Sequence, residues 1–241
     1  MAGTLCAAAL AACTTQGGSG GSGKPKRDAS AAPSTSPSEG SASPSPGADD
    51  ALLKAAKDGD ADGVRKAVKA GADLETRDGK GRTPLLLASL GDHVGAARVL
   101  VREGADPDAQ DERRDSAWLV TGVTGSAAMA RALIPAKPDY DLTNRYGGTS
   151  LIPAGEHGHV GYVREVLRST DIKVNHVNRL GWTALLEAVI LGDGGTDHQK
   201  VVALLLDAGA DRDLADKDGV TALEHAERRG YGEIAQILRK N

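Results

Sequence analysis

Phenylalanine is missing from this 241-residue sequence, and all aromatic residues together make up only 2% of it. A hydrophobic core without Phe has to be filled by Leu, Val, Ile and Ala, which suit closely stacked helices better than a thick sandwich core. Cysteine is nearly missing as well, because Cys6 and Cys13 both lie in the first 13 residues. The rest of the sequence therefore offers no disulfide and no cysteine-based metal site.

A basic excess is also lacking, since the formal net charge is −4. Binding to nucleic acid or to an anionic membrane surface needs clustered Lys and Arg. We therefore expect neither activity from the folded part of the chain. A mild negative charge favours a soluble monomer.

Sequence signatures of catalysis are absent too. No Gly-x-Ser-x-Gly, P-loop or dinucleotide fingerprint occurs. The run from Glu156 and His157 to His159 resembles a metal-binding sequence, but side chains at i and i+2 point to different faces of a helix. We expect no catalytic residue, no metal and no cofactor. The alternative is an enzyme or a small-molecule sensor that uses Glu156, His157 and His176.

A block of about 33 residues recurs along the chain from residue 49 onward. Each block begins with Thr or Ser followed by an apolar run, and the blocks start 33, 33, 34 and 38 residues apart. The five starting residues are Thr83, Ser116, Thr149, Thr183 and Thr221. Counting back 33 residues from Thr83 gives a sixth copy that starts at Asp50.

The chemistry of each block predicts a pair of helices. Thr83 is a good N-cap, and Pro84 fits the first helical turn, where a missing N–H costs nothing. Three blocks end in Gly-Ala-Asp, and the glycine can supply the left-handed residue that ends a helix. Asp78-Gly79 and Asp218-Gly219 predict tight turns between blocks.

The Thr-Pro-Leu and Gly-Ala-Asp runs closely resemble the ankyrin repeat. The resemblance implies an all-α solenoid of six helix-turn-helix repeats joined by tight turns or β-hairpin loops, at about 49–81, 82–114, 115–147, 148–181, 182–219 and 220–241. It assigns His93 and His159 a structural role. The signature His after Leu is replaced in every copy, so we expect the array to rely more on packing. Pro153 should distort its helix, and Pro135 with Pro138 should alter a helix ending.

The first 48 residues differ from the repeats in composition. Leu10 to Cys13 resembles a bacterial lipobox, which implies a signal peptide at 1–13, lipid on Cys13 and an extracytoplasmic address anchored to the cell membrane. Residues 14–48 are rich in Ser, Gly and Pro and are predicted to be a disordered tether. The alternative is an Ala-rich leader on a cytosolic protein.

Ankyrin arrays bind partners on a concave surface formed by the turns and the first helices. By register, Trp118 belongs to the core and Trp182 faces this surface as a binding anchor, or else packs against the turn that carries Tyr146. We expect an aromatic and basic strip that would suit an acidic segment of a partner. Glu187 is expected to close one end of the strip or to pair with an arginine. The strip consists of Arg113, Arg145, Tyr146, Arg179 and Trp182.

A glycine-rich insertion lies between the helices of the fifth repeat. It is predicted to form a mobile, projecting loop that contacts the partner. Its residues are Asp193, Gly194, Gly195, Thr196 and Asp197.

Together these features predict a membrane-tethered protein that binds another protein and has no catalytic activity. The alternatives are a cytosolic adaptor, an inhibitor or immunity-type protein, and a purely structural spacer.

Overall fold

The structure is a computed structural model that describes residues 47–240. The first helix starts at Ala48, one residue before the expected domain boundary. Twelve α-helices follow one another in the described part, and no strand is formed there apart from a single bridge between Ala215 and Thr221. The helices are α1 (Ala48–Asp58), α2 (Ala61–Lys69), α3 (Pro84–Leu90), α4 (Val94–Glu103), α5 (Ala117–Thr124), α6 (Ala127–Leu133), α7 (Leu151–Glu156), α8 (Val160–Ser169), α9 (Ala184–Ile190), α10 (Thr196–Asp207), α11 (Ala222–Arg228) and α12 (Gly232–Lys240).

The helices are arranged in six pairs that stack in chain order. The first helices (α1, α3, α5, α7, α9 and α11) pack on one another in one layer, and the second helices form another layer beside it. Consecutive pairs are joined by loops at 70–83, 104–116, 137–150, 170–183 and 208–221. This confirms the predicted all-α solenoid of six helix-turn-helix repeats. In the described part of the chain, no helix has the length and apolar character needed to cross a bilayer.

The predicted caps start four of the first helices. The side-chain oxygens of Thr83, Ser116, Thr183 and Thr221 each accept a hydrogen bond of 3.2–3.3 Å from the backbone N–H three residues later. At Thr221 the cap is reciprocal, because the Glu224 carboxylate accepts the Thr221 N–H at 2.8 Å. The regular spacing of Thr and Ser therefore marks the helix starts for a local chemical reason.

The fourth repeat departs from this pattern, as Pro153 predicted. In α3 and α9 the residue four positions after the cap donates its N–H to the carbonyl of the capping Thr. Pro153 stands at that position and has no N–H, so Ile152 donates to the Thr149 carbonyl at 3.3 Å instead. As a result α7 begins at Leu151 and has six residues.

The proline residues of the third repeat alter a helix ending. After Leu133, α6 continues as a single 3-10 turn over Ile134–Ala136, and Lys137 follows with a φ of 55°. The expected change at Pro135 is therefore confirmed.

The core is filled by Leu, Val, Ile and Ala, with Trp118 as its largest side chain. Trp118 is 0% exposed and its ring lies 5.1 Å from that of Tyr140, measured between centroids. This confirms the core position that the repeat register predicted for Trp118.

Hydrogen bonds from His and Tyr side chains join the second, fourth, fifth and sixth repeats to the repeat before each of them. The Nε2 atoms of His93, His159 and His198 lie 3.0, 3.0 and 2.9 Å from the carbonyls of Lys57, Val123 and Glu156. The Tyr231 hydroxyl donates to the Gly192 carbonyl at 3.0 Å. The structural role expected of His93 and His159 is confirmed. These residues form their hydrogen bonds at the end of the first helix of the preceding repeat. The array is therefore stabilised by hydrogen bonds between repeats as well as by packing, although the signature His is replaced in every copy.

Candidate functional site

Each loop between repeats ends in a turn that an Asp or Asn side chain closes. In the fourth loop, Oδ1 of Asn178 accepts the N–H groups of Leu180 and Trp182 at 2.9 and 3.0 Å. The same two bonds occur in every loop, and we call these the inter-repeat turns. Sequence reasoning recognised only two of them, although an Asx residue stands five positions before every capping Thr or Ser. The closing residues are Asp78, Asp111, Asn144, Asn178 and Asp216.

The fourth residue of each inter-repeat turn has a positive φ. Gly147 and Gly181 occupy this position with φ values of 74° and 88°. Arg114 occupies it in the second turn with a φ of 62°, which an L-residue adopts only at a cost. Arg113 is exposed on the same turn, one repeat before Tyr146.

Three basic residues occupy the same position on successive turns, and we call Arg145, Arg179 and Lys217 the tip row. Arg179 Nη1 donates to the Arg145 carbonyl at 2.8 Å, and Lys217 Nζ donates to the Arg179 carbonyl at 2.6 Å. The backbone N–H of Arg179 also donates to the Tyr146 carbonyl at 3.0 Å. Neighbouring turns are thus bonded directly to each other.

Arg145 and Tyr146 form the centre of the expected strip. The Arg145 guanidinium lies 4.5 Å from the centroid of the Tyr146 ring, and its Nη1 atom lies 3.4 Å from Oδ2 of Asp115. Burial raises the pKa of Asp115, and the charge of Arg145 opposes that shift. Tyr146 remains 46% exposed. The turns therefore place Arg145, Tyr146 and Arg179 side by side.

Trp182 is less accessible than expected of an anchor. It is only partly buried, but it packs against the hydrophobic core, and its carbonyl accepts the Asn178 N–H at 3.0 Å. Trp182 is therefore only partly accessible as the binding anchor that the register predicted. An exposed apolar side chain does stand nearby, at Leu180, which sequence reasoning missed.

Glu187 neither closes the strip nor pairs with an arginine, so this expectation is wrong. The residue is 6% exposed, and its Oε1 atom accepts a 2.8 Å hydrogen bond from Nδ2 of Asn178. Burial and the nearby charge of Glu156 raise the pKa of Glu187 to about 7. The reason is geometric. Glu187 is the fourth residue after the capping Thr183, and its side chain points back into the inter-repeat turn that precedes α9.

The insertion of the fifth repeat is more ordered than predicted. Thr196 and Asp197 are not loop residues but begin α10. Asp193 Oδ1 accepts the Gly195 N–H and lies 2.8 Å from Nδ1 of His198, and both contacts lower the pKa of Asp193. Gln199 Nε2 donates to the Gly194 carbonyl at 2.9 Å. These bonds join the segment to the first turn of α10.

The exposed large apolar side chains of residues 47–240 fall on two kinds of element. They lie either at the ends of first helices or on inter-repeat turns and the adjoining loop, and none of those recorded lies on a second helix. The six are Leu90, Val123, Tyr146, Val177, Leu180 and Leu191.

Two of the histidines considered for chemistry, His159 and His176, have backbone partners. His176 Nε2 lies 2.7 Å from the Gly147 carbonyl, and His159 is bonded to Val123 as described above. The rings of His157 and His159 have centroids 5.4 Å apart. Among residues 47–240, no group of three or more His, Cys, Asp or Glu side chains is arranged to hold a metal ion.

The expected signal peptide at 1–13, its lipidation residue Cys13 and nearly all of the tether at 14–48 lie outside the described residues.

Comparison with known proteins agrees with this architecture. The family model described as ankyrin repeats (3 copies) matches residues 39–111, 118–216 and 172–241. The ankyrin repeat protein YahD of Escherichia coli (strain K12) is 43% identical over 186 residues, which cover 77% of this chain and 92% of YahD. The crystal structure of an ankyrin repeat domain from Acinetobacter baumannii AYE is 45% identical and superimposes with a TM-score of 0.75, over 78% of this chain and 96% of that one.

A second crystal structure, that of the ankyrin repeat protein EF0377, is 36% identical with a TM-score of 0.76, over 80% of this chain and 98% of that one. Both structures resemble this chain over about four fifths of its length. The chain therefore belongs to the ankyrin-repeat family.

Proposed function

We propose that this protein is a non-catalytic binding module whose partner docks on the side formed by the first helices and the inter-repeat turns. The observation that supports this most directly is that Tyr146 and Leu180, 46% and 50% exposed, occupy the same position on neighbouring inter-repeat turns. Soluble proteins rarely leave such residues clustered without a binding role. Ankyrin repeats in general mediate binding to other proteins.

The mechanism is surface complementarity on a rigid support. The inter-repeat turns are closed by their own Asx residues and bonded to each other, so their exposed side chains lose little conformational freedom on binding. Tyr146 and Leu180 supply apolar contact area, and the tip row supplies charge. Leu90 and Val123, at the C-terminal ends of α3 and α5, add exposed apolar area on the second and third repeats.

The test is a pull-down from envelope extract that uses the Cys13→Ser chain as bait, so that the bait is soluble without lipid. We expect the bait to retain a partner and a Tyr146→Ala, Leu180→Ala variant to lose it. The matched control changes two exposed arginines of the second helices, Arg98→Ala and Arg164→Ala, and should bind normally. Equal capture by the Tyr146 and Leu180 variant, with an unchanged circular dichroism spectrum, would contradict the proposed surface.

We further propose that a lipid on Cys13 anchors the protein to the cell membrane on its extracytoplasmic side. The lipobox-like Leu10–Cys13 run and the Ser-, Gly- and Pro-rich stretch after it support this. A flexible tether of 35 residues would span roughly 30–35 Å and raise the local concentration of the module near the membrane. Fractionation should recover the wild-type chain with membranes and the Cys13→Ser variant in the soluble fraction. The same distribution for both would favour a cytosolic adaptor or inhibitor instead.

A further inference from the structure

The tip row is a regular line of positive charge. Its three residues hold the same place on the third, fourth and fifth inter-repeat turns, one position after the closing Asx. Each side chain leans back toward the preceding turn: Arg145 to the Asp115 carboxylate, Arg179 to the Arg145 carbonyl and Lys217 to the Arg179 carbonyl. Because each of the three side chains reaches back to the preceding turn, the distance between neighbouring charges follows the distance between neighbouring turns.

That spacing can be derived from the backbone bonds. Within the fourth turn the Asn178 N–H donates to the Trp182 carbonyl, and between turns the Arg179 N–H donates to the Tyr146 carbonyl. The fourth repeat thus adds two steps of the kind found between paired strands, about 4.8 Å each, or roughly 10 Å in all. The packing of first helix on first helix, at about 8–10 Å, gives the same repeat.

The charge of the row is only partly compensated. Arg145 has a carboxylate partner, whereas the donors of Arg179 and Lys217 described above go to peptide carbonyls, which leave the positive charge in place. Both side chains belong to exposed residues. The ion pairs found in residues 47–240 include neither of them.

Apolar side chains stand directly beside two of the three tip-row residues, whereas Lys217 is followed by the exposed Asp218. Tyr146 and Leu180 immediately follow Arg145 and Arg179, and they are 46% and 50% exposed. Val177, just before the fourth turn, is 48% exposed. We call these three residues the tip patch. An occupant of this surface has to supply negative charge at intervals of roughly 10 Å with apolar groups between the charges.

We propose that the tip row and tip patch bind an acidic segment of a protein in the polyproline II conformation, with a carboxylate at every third residue and apolar residues between them. The proposal rests on the protein-binding function above and names the partner's chemistry. A polyproline II chain rises about 3.1 Å per residue with three residues per turn. Its residues i, i+3 and i+6 therefore lie on one side, about 9.3 Å apart, which matches the tip row.

Other conformations fit the row less well. In a β-strand, residues i and i+3 point to opposite faces, so their carboxylates could not all reach the row. An α-helix about 10–12 Å wide needs a groove to lie in, and its acidic residues would have to recur every seven positions, about 10.5 Å apart. The row runs along the exposed ends of the turns, where a narrow extended chain can lie.

The probe is a fluorescein-labelled peptide, Asp-Leu-Pro-Asp-Leu-Pro-Asp, titrated with the full Cys13→Ser chain at low ionic strength. Its isomer Asp-Asp-Asp-Leu-Leu-Pro-Pro has the same composition without the spacing. We expect the spaced peptide to bind at least about fivefold more tightly, and its binding to weaken strongly at about 0.5 M salt. An Arg145→Glu, Arg179→Glu, Lys217→Glu variant should bind it about tenfold or more weakly, since three attractive charge pairs become repulsive.

Two controls separate the row from general charge and from misfolding. Arg98→Glu, Arg102→Glu and Arg164→Glu change the net charge equally on exposed residues of α4 and α8 and should leave binding unchanged. The variant with glutamates in the tip row should in turn bind the basic peptide Lys-Leu-Pro-Lys-Leu-Pro-Lys. Such binding requires that the variant is folded and presents the reversed charges in the same row.

Several results would overturn the proposal. These are equal binding of both acidic peptides, equal loss in the α4 and α8 variant, stronger binding of a helical peptide with acids every seven residues, or capture of phosphatidylglycerol vesicles in place of the peptide. If the pull-down retains a partner while the spaced peptide fails to bind, the binding function stands and this assignment of its partner fails.

Discussion

The side-chain amide of Asn178 donates a 2.8 Å hydrogen bond to the buried carboxylate of Glu187, nine residues further along the chain. The same Asn178 side chain accepts the N–H groups of Leu180 and Trp182. A titratable group inside the fifth repeat is thus one side chain away from the exposed turn.

Glu187 should make the stability of the protein depend on pH. Burial and the charge of Glu156 raise its pKa to about 7 in the folded state, above its ordinary value, so the folded protein holds a proton that the unfolded chain releases. The contribution to stability is therefore complete below the ordinary pKa of about 4.3 and is lost as pH rises through about 7. Glu187→Gln should increase the free energy of unfolding by about 1–3 kcal/mol at pH 8 and have little effect at pH 5. Urea unfolding at several pH values measures this.

The control for that experiment is Glu103→Gln, which removes an exposed carboxylate at the end of α4. It should leave the pH dependence unchanged. If Glu187→Gln and wild type differ equally at pH 5 and pH 8, the carboxylate is not the titrating group.

The two tryptophans should differ in their effect on stability. Trp118 is completely buried, and Trp118→Ala should cost about 3–5 kcal/mol in unfolding free energy because it leaves a large cavity. Trp182 keeps part of its surface in solvent, so Trp182→Ala should cost clearly less. Chemical denaturation of both variants checks the order, and a larger loss at Trp182 would refute the burial described.

A glycine and a histidine of successive repeats should be coupled. Gly125 has a φ of 70°, and a Cβ at this position would collide with the His159 ring, whereas a Cβ at Gly104, with a φ of 95°, meets nothing within 4 Å. Gly104→Ala therefore reports backbone strain alone, and Gly125→Ala should be more destabilising than it. Combining Gly125→Ala with His159→Ala should cost less than the sum of the two changes. Strict additivity in a double-mutant cycle would contradict the contact.

The second inter-repeat turn can be improved. Arg114 has a φ of 62° where the other four turns have glycine, so Arg114→Gly should raise the unfolding free energy by roughly 0.5–1 kcal/mol. Arg113, on the same turn, has no positive φ, and Arg113→Gly should give no such gain. Thermal unfolding of the two variants makes the comparison, and an equal shift in Tm would point to charge rather than to the backbone.

The architecture could be predicted from the sequence because its signals are local. A Thr side chain caps the helix that starts right after it, and Pro153 disturbs the helix in which it stands. The core position of Trp118 followed from counting within the repeat.

The candidate site could be predicted only in part, because it depends on how each turn folds back. Repeat register indicated that Arg145, Tyr146 and Arg179 lie on neighbouring turns, but not that Arg179 bonds to the Arg145 carbonyl. Glu187 was misplaced because its partner belongs to the turn before its own helix. The hydrogen bonds that order the 193–197 segment involve His198 and Gln199 of the following helix, which glycine content alone does not reveal.

Closure of every inter-repeat turn by its own Asx residue has a consequence for how this protein can change over time. Closure uses the backbone N–H of the residue in the third position of each turn, and this N–H does not depend on which side chain the residue carries. Two basic residues, an aromatic, an aliphatic and an acidic residue accordingly occupy this position along one backbone path. New binding specificity can therefore arise by single substitutions at this position while the backbone of the inter-repeat turn stays the same. The five residues are Lys80, Arg113, Tyr146, Leu180 and Asp218.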